Sequence, residues 1–213
     1  MNHIHNAAIS INSGHLIVYP TETTYALGAN PLDSQAIQKL FRAKKRDPKN
    51  PLSIAFPTLT AASSYVLLSA KTKSFADHFL PGAVTILCEP TNSQLKPLTK
   101  CGKIGIRIPD HPLALDLLTQ VSPLTATSAN ISGKPGACTI SEIDPELLSS
   151  VSTIIDGQQT PGGKSTVIDV DESTILRKGS HYEEIKTWVE EGRISETVGR
   201  KILEDNPTKF YGF

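Results

Sequence analysis

Short apolar runs alternate along this chain with stretches in which apolar side chains recur every three or four positions. The run Leu16 to Tyr19 is continuously apolar and reads as a buried strand. Asp33 precedes Ile37, Leu40 and Phe41, a spacing that predicts a capped helix with one apolar face. Residues 51–56 read as a strand, and 69–82 as a helix stopped by Pro81-Gly82. Strands follow at 83–89 and 104–109, and Pro112 suits the first turn of the next helix. Residues 123–128, 151–156, 165–170 and 174–179 complete the strands. From His181 to Leu203 the pattern is helical again. Ile185, Trp188 and Val189 form one face, Ile194, Val198 and Ile202 another, with Gly192 between them. Such alternation predicts an α/β fold, a mixed sheet with flanking helices. The expected organisation is one domain over 1–180 and a helical C-terminal extension, 181–213, packed on it.

Composition narrows this picture. With 213 residues the chain can bury a sizeable core, and Lys+Arg and Asp+Glu balance at 21 each. That balance disfavours a general polyanion-coating protein while leaving room for a local basic patch. Cys88, Cys101 and Cys138 have no metal-type or redox spacing, so they read as reduced thiols of a cytoplasmic protein. Neither a membrane-length apolar run nor a signal-peptide core is present, and the Asn130-Ile131-Ser132 sequon then reads as a chance match. Only His3 and His5 are close together among the histidines, on a terminus expected to fray.

Four stretches carry candidate chemistry. "YPTETTYALG" (19–28) places Thr21, Thr23 and Thr24 at a strand end, where hydroxyls either cap a helix or grip a ligand. "FRAKKRDPKNPL" (41–52) sets Arg42, Lys44, Lys45, Arg46 and Lys49 against Asp47, a local net charge of +4. Solvated helix ends carry such runs, but this one enters a Pro-containing loop where cations converge as they do on phosphate. "LTATSANISGKPG" (124–136) is rich in hydroxyls, an amide and glycine, the makings of an anion-binding turn. "GQQTPGGKSTVIDV" (157–170) imitates a P-loop, but Gln158 stands where the first glycine belongs. Its closing residues, Ser165 to Ile168, are strand-like, whereas a P-loop opens a helix. With no zinc spacing and no nucleophile elbow, chemistry without a protein nucleophile becomes the expectation, phosphoryl or nucleotidyl transfer above all.

In order, "YPTETTYALG", "KKRDPKNPL", "PGAVTIL" with "IGIRIPDHP", and "TSANISGKP" resemble the YrdC/TsaC-type threonylcarbamoyl-AMP synthase family over roughly residues 8 to 180. The resemblance implies a twisted, open mixed sheet with flanking helices and a large concave cavity. It implies a nucleotidyltransferase joining L-threonine, bicarbonate and ATP, with Mg²⁺, into threonylcarbamoyl-AMP and pyrophosphate. Downstream threonylcarbamoyl-transferase proteins would then modify tRNA. Carried over by position, Thr23 contacts threonine, Lys44 and Arg46 face the phosphates, and Asn50 contacts the nucleotide. Lys103 and Arg107 flank the "IGIRIP" strand, with Arg107 meeting the threonine carboxylate. Ala126, Ser128 and Asn130 form an adenylate loop followed by Gly136, and Ser165, Thr166 and Arg177 occupy later positions. Which residues would hold the metal is left open. Two departures stand out: Ala55 where many relatives carry His, and Gly136 where serine is frequent. They keep open a paralogue of the same fold without this activity; an RNA-binding module, using the basic cluster on RNA phosphates, is the other rival. The extension after residue 180 is too short for the second domain of longer relatives, so the chain resembles the single-domain form.

Overall fold

The computed structural model describes residues 3–192. The second expected helical face, Ile194, Val198 and Ile202, lies outside them. Instead of fraying, the N-terminus forms helix α1 (His3–Asn12), which buries Ile4, Ala7, Ala8 and Ile11. Strands β1 (Leu16–Tyr19) and β2 (Ala26–Gly28) follow, then helix α2 (Ser34–Lys44), β3 (Ser53–Ala55), α3 (Leu59–Ser63) and α4 (Ala70–Phe79). Next come β4 (Val84–Cys88), a 3-10 helix (Ser93–Leu98), β5 (Ile104–Arg107) and α5 (Pro112–Gln120). Residues 123–128 yield two strands, β6 (Leu124–Thr125) and β7 (Thr127–Ser128). Then follow α6 (Pro145–Leu148), β8 (Val151–Ile154), β9 (Thr166–Asp169), β10 (Thr174–Arg177) and α7 (Tyr182–Glu190).

The fold is mixed α/β, with the strands divided between two mixed sheets. One runs β7-β2-β1-β8 and the other β10-β9-β4-β5-β3-β6. The division falls at Ala126, whose N–H donates to the Ser53 carbonyl at 2.7 Å. Before it β6 pairs with β3, and after it β7 pairs with β2. One short segment, 123–128, thus stitches two sheets together.

Local chemistry sets the helix positions. The Asp33 carboxylate accepts from the Gln35 and Ala36 N–H groups and starts α2; Ser69 caps α4 through Thr72 N–H. Pro112 occupies the first turn of α5. The main core gathers Leu40, Phe41, Ile54, Phe56, Phe75, Ile86 and Ile168 between sheets and helices. A second cluster joins Ile4, Ala7 and Ile11 to Tyr19, Leu117, Leu118 and Leu124, so α1 packs against α5. Helix α7 docks through Trp188, whose ring meets Phe75, Phe79 and His78 at 6.0, 5.2 and 4.6 Å.

Candidate active site

The end of α2 decides where the basic run points. Lys45 adopts the left-handed conformation at φ 50°, its N–H donating to the Arg42 carbonyl, while Arg46 N–H donates to the Phe41 carbonyl. This pair of bonds is a Schellman reversal, normally built on glycine. Its consequence is a split. Lys44 and Arg46 turn inward, 1% and 7% exposed, whereas Lys45 turns outward to Glu146 at 2.7 Å. Arg42 and Lys49 are exposed.

The Lys44 ammonium donates to the Ser128 carbonyl, to the Asn130 carbonyl at 2.9 Å and to Asn130 Oδ1 at 3.0 Å. Ser128 Oγ donates to the same Oδ1 at 2.5 Å, and Asn130 Nδ2 donates to the Lys134 carbonyl. The amide orientation follows from its partners, donors on the oxygen and an acceptor on the nitrogen. Burial, reinforced by the nearby Arg46 charge, lowers the Lys44 pKa to about 7. Arg46 Nη2 donates to the Pro51 carbonyl at 3.0 Å, tying the 45–51 loop to β3.

Arg107 ends β5 with 8% exposure, and its Nη2 donates to Glu22 Oε1 and Thr23 Oγ1, both at 2.7 Å. Thr21 Oγ1 donates to the Thr24 carbonyl at 2.7 Å and lies 3.0 Å from Thr23 Oγ1. With the Thr21 proton so engaged, the Thr23 hydroxyl donates to Thr21 and presents its lone pairs to Arg107. The three threonines therefore divide the work: Thr21 shapes the turn, Thr23 holds Arg107, and Thr24 reaches a cavity wall.

That cavity has a volume of about 460 Å³ and lies between the two sheets. Lys44, Arg46, Arg107, Thr23, Ala126, Ser128, Asn130, Gly136, Ser165 and Arg177 all line it. Lys134 and Lys164 bring its lining cations to six, and no carboxylate occurs among its described lining residues. Ser165 Oγ accepts from Arg177 Nη2 at 2.7 Å and lies 2.8 Å from Thr85 Oγ1. Gly136 packs on Thr24: a Cβ there would come within 3.0 Å of Thr24 Cγ2. The loop rejected as a P-loop still contributes Gly163 and Lys164, and β9 follows it as expected.

Three expected site residues stand apart from this lining. Lys103, at the far end of β5 from Arg107, pairs with Asp169 at 2.5 Å. Thr166 is fully buried, and its hydroxyl donates to the Ser180 carbonyl at 2.6 Å. Asn50 donates its N–H to the Asp47 carbonyl at 3.0 Å within the loop turn. Conversely, sequence reasoning passed over Glu22, the Arg107 partner, and Ser53 and Thr85, which line the cavity floor. Glu22 had a signal, a carboxylate set among hydroxyls; Ser53 and Thr85 had only strand alternation.

The chain and its fold are similar to those of known proteins. The family model Sua5_yciO_yrdC, described as "Telomere recombination", matches residues 10–179. The putative threonylcarbamoyl-AMP synthase of Methanocaldococcus jannaschii is 35% identical over 167 residues, covering 78% of this chain and 79% of that protein. The threonylcarbamoyl-AMP synthase of Bacillus subtilis is 34% identical, covering 83% of this chain. A solved structure of Pyrococcus abyssi Sua5 complexed with L-threonine superposes with a TM-score of 0.82 at 31% identity, covering 97% of this chain and 64% of that one. The chain spans about half (53%) of the Bacillus subtilis relative and 60% of the Pyrococcus abyssi synthase. No helix among the described residues is long and apolar enough to cross a membrane. By sequence match, by superposition and by the cavity its motifs assemble, the chain belongs to the Sua5/YciO/YrdC family.

Proposed function

We propose that this protein is a threonylcarbamoyl-AMP synthase, joining L-threonine, bicarbonate and ATP with release of pyrophosphate, for modification of tRNA by downstream transferases. One observation carries the reading within its family: six cations and no carboxylate among the described residues of a hollow between two sheets. Two anionic reactants repel one another, and only a preorganised positive wall offsets that repulsion without reorganisation during the reaction.

Bicarbonate and the threonine amine condense with loss of water to a carbamate. A carbamate oxygen then attacks the α-phosphorus, and the α–β bridging bond breaks as pyrophosphate leaves. In this scheme Arg107 takes the threonine carboxylate and Thr23 keeps the guanidinium in place. Lys44 and Arg46 receive the phosphates, Arg46 through a planar fork and Lys44 as a point charge. Ala126, Ser128, Asn130 and Gly136 border the adenylate, with Ser165 and Arg177 on the opposite wall. Lys103 and Thr166 serve the fold in this scheme, and Asn50 shapes the loop.

The walls present hydroxyl and carbonyl oxygens, and the described residues contain no cluster of carboxylates, histidines or cysteines that could hold a metal ion. Mg²⁺ would arrive with the ATP phosphates and would help to neutralise their charge, the Ser128 and Thr23 side of the cavity offering neutral oxygens to its hydration shell.

Pyrophosphate release measures the reaction. It should require threonine and bicarbonate together, and Lys44→Ala or Arg46→Ala should lower its rate on the order of 10²–10³-fold. Equal release without threonine would refute the assignment.

A further inference from the structure

A second hollow, a groove of about 800 Å³, lies outside the proposed reaction cavity. Leu32, Ile37, Phe41, Pro97 and Leu98 give it an apolar floor, drawn from α2, the loop before it and the 3-10 helix. Its charged lining is Arg42, Lys45 and Arg46, with no carboxylate among the described lining residues. The Schellman reversal that turns Lys44 into the cavity leaves Arg42 and Lys45 on this side. Arg42 is exposed, and its guanidinium makes no hydrogen bond or ion pair with any described residue. Lys45 faces Glu146, but both side chains are more than half exposed, so that pair exchanges readily with another carboxylate. Arg46 lines both hollows, leaving a wall one side chain thick between them.

We propose that this groove docks a partner protein through a segment with apolar anchors flanked by carboxylates. Charge complementarity selects the acidic flanks. The floor selects side chains over nucleobases: single-stranded nucleic acid is bound on exposed aromatic faces, and the groove's one ring, Phe41, is 7% exposed. Pro31, Pro48 and Pro97 add to its apolar walls, and the Gln38 amide on its lining can meet a peptide backbone. Docking chemistry of this kind holds whichever reaction the cavity runs. On the synthase reading, on which its purpose rests, a mixed carbamic–phosphoric anhydride must be consumed by a following carbamoyl transfer, and the acceptor would wait beside its source.

The test uses a fluorescein-labelled synthetic helical peptide of about 14 residues, Leu and Phe at i, i+3, i+4 and i+7 and Glu elsewhere. A peptide with Lys replacing every Glu and a polyuridine oligonucleotide serve as the other arms. The acidic peptide should raise the anisotropy, and Arg42→Glu should weaken that binding by about tenfold or more. Arg42→Glu, an exposed change outside the cavity, should leave folding and pyrophosphate release as they were. The docking proposal falls if the Lys peptide binds equally well, if Arg42→Glu has no effect, or if only the oligonucleotide binds. Pyrophosphate release in the same samples keeps its failure separate from failure of the synthase reading.

Discussion

Lys44 illustrates at the residue scale how a fold can hold a cation in reserve. Burial lowers its pKa to about 7 against an ordinary 10.5, so between those values the unfolded chain binds a proton that the folded chain does not. By linkage, the contribution of Lys44 to stability rises with pH across that window and is smallest below about pH 7. A polyanion in the cavity reverses the effect, favouring the charged form. Above about pH 7 the free protein holds Lys44 increasingly as the neutral amine, so ATP binding should take up protons at pH 8 and much less at pH 6. Calorimetry in buffers of different ionisation enthalpy measures this; uptake at pH 8 that persists undiminished in Lys44→Gln would rule Lys44 out as its source. Thr23 makes a second, separable case. Its hydroxyl accepts from Arg107 at 2.7 Å, and a hydrogen bond to a charged group contributes about 1.5–3 kcal/mol. Thr23→Val should therefore raise the KM for threonine roughly 10-fold or more while the KM for ATP changes little.

Strand β5 shows how an element makes room. Gly105 lies between Ser53 on β3 and Thr85 on β4, and a Cβ at that position would stand 2.7 Å from Ser53 Oγ and 2.7 Å from Thr85 Cγ2. Both neighbours line the cavity floor, so the glycine in "IGIRIP" is what keeps that floor flat. Gly105→Ala should cost about 1–3 kcal/mol by overpacking, read from the denaturation midpoint, and should weaken ATP binding as the floor rises. Such effects mark the boundary of what the sequence discloses. Strands with continuous apolar runs, and helices with a cap and a clear face such as 33–44, were legible because local patterning and tertiary burial agree there. Helix α1 was not, although Ile4, Ala7, Ala8 and Ile11 fall at helical spacing: only two of those four side chains are large, and the Asn and Ser beside them suit a fraying terminus as well. The division of 123–128 between two sheets depends on long-range pairings, β6 with β3 and β7 with β2, that no local pattern announces. The motifs that carry the resemblance could be read from the sequence, the directions of their side chains could not. The run 42–49 looks like one basic cluster, yet the left-handed turn at Lys45 sends its members to opposite sides of a wall. Lys103 and Arg107 share a strand, but from opposite ends of it one meets Asp169 and the other the cavity.

For the whole molecule, the decisive fact is how a neutral chain is partitioned. Formal net charge is zero, yet six lysine and arginine side chains line the described walls of one hollow, and the carboxylates that pair with two of them, Glu22 on Arg107 and Asp144 on Lys134, stand behind that lining. Low-dielectric walls of one sign concentrate the field there, drawing in a polyanion without making the rest of the surface adhesive. The two sheets create this partition. Each delivers its polar strand ends to the gap, β7 with Ser128 from one side, β5 and β9 with Arg107 and Ser165 from the other. A field of that kind discriminates between the proposed substrates by charge. Threonine enters as a zwitterion and gains little from long-range attraction, whereas ATP carries several negative charges. Raising salt from about 0.05 to 0.5 M shortens the Debye length from roughly 14 to 4 Å, which should raise the KM for ATP several-fold and that for threonine far less. Arg177→Gln, which removes one lining cation on the wall opposite the basic pair, should flatten the dependence for ATP alone. Steady-state pyrophosphate release across a salt series reads both constants. Parallel slopes for the two substrates would mean that salt acts on folding or on a common step, and the charge partition would lose its part in the choice between them.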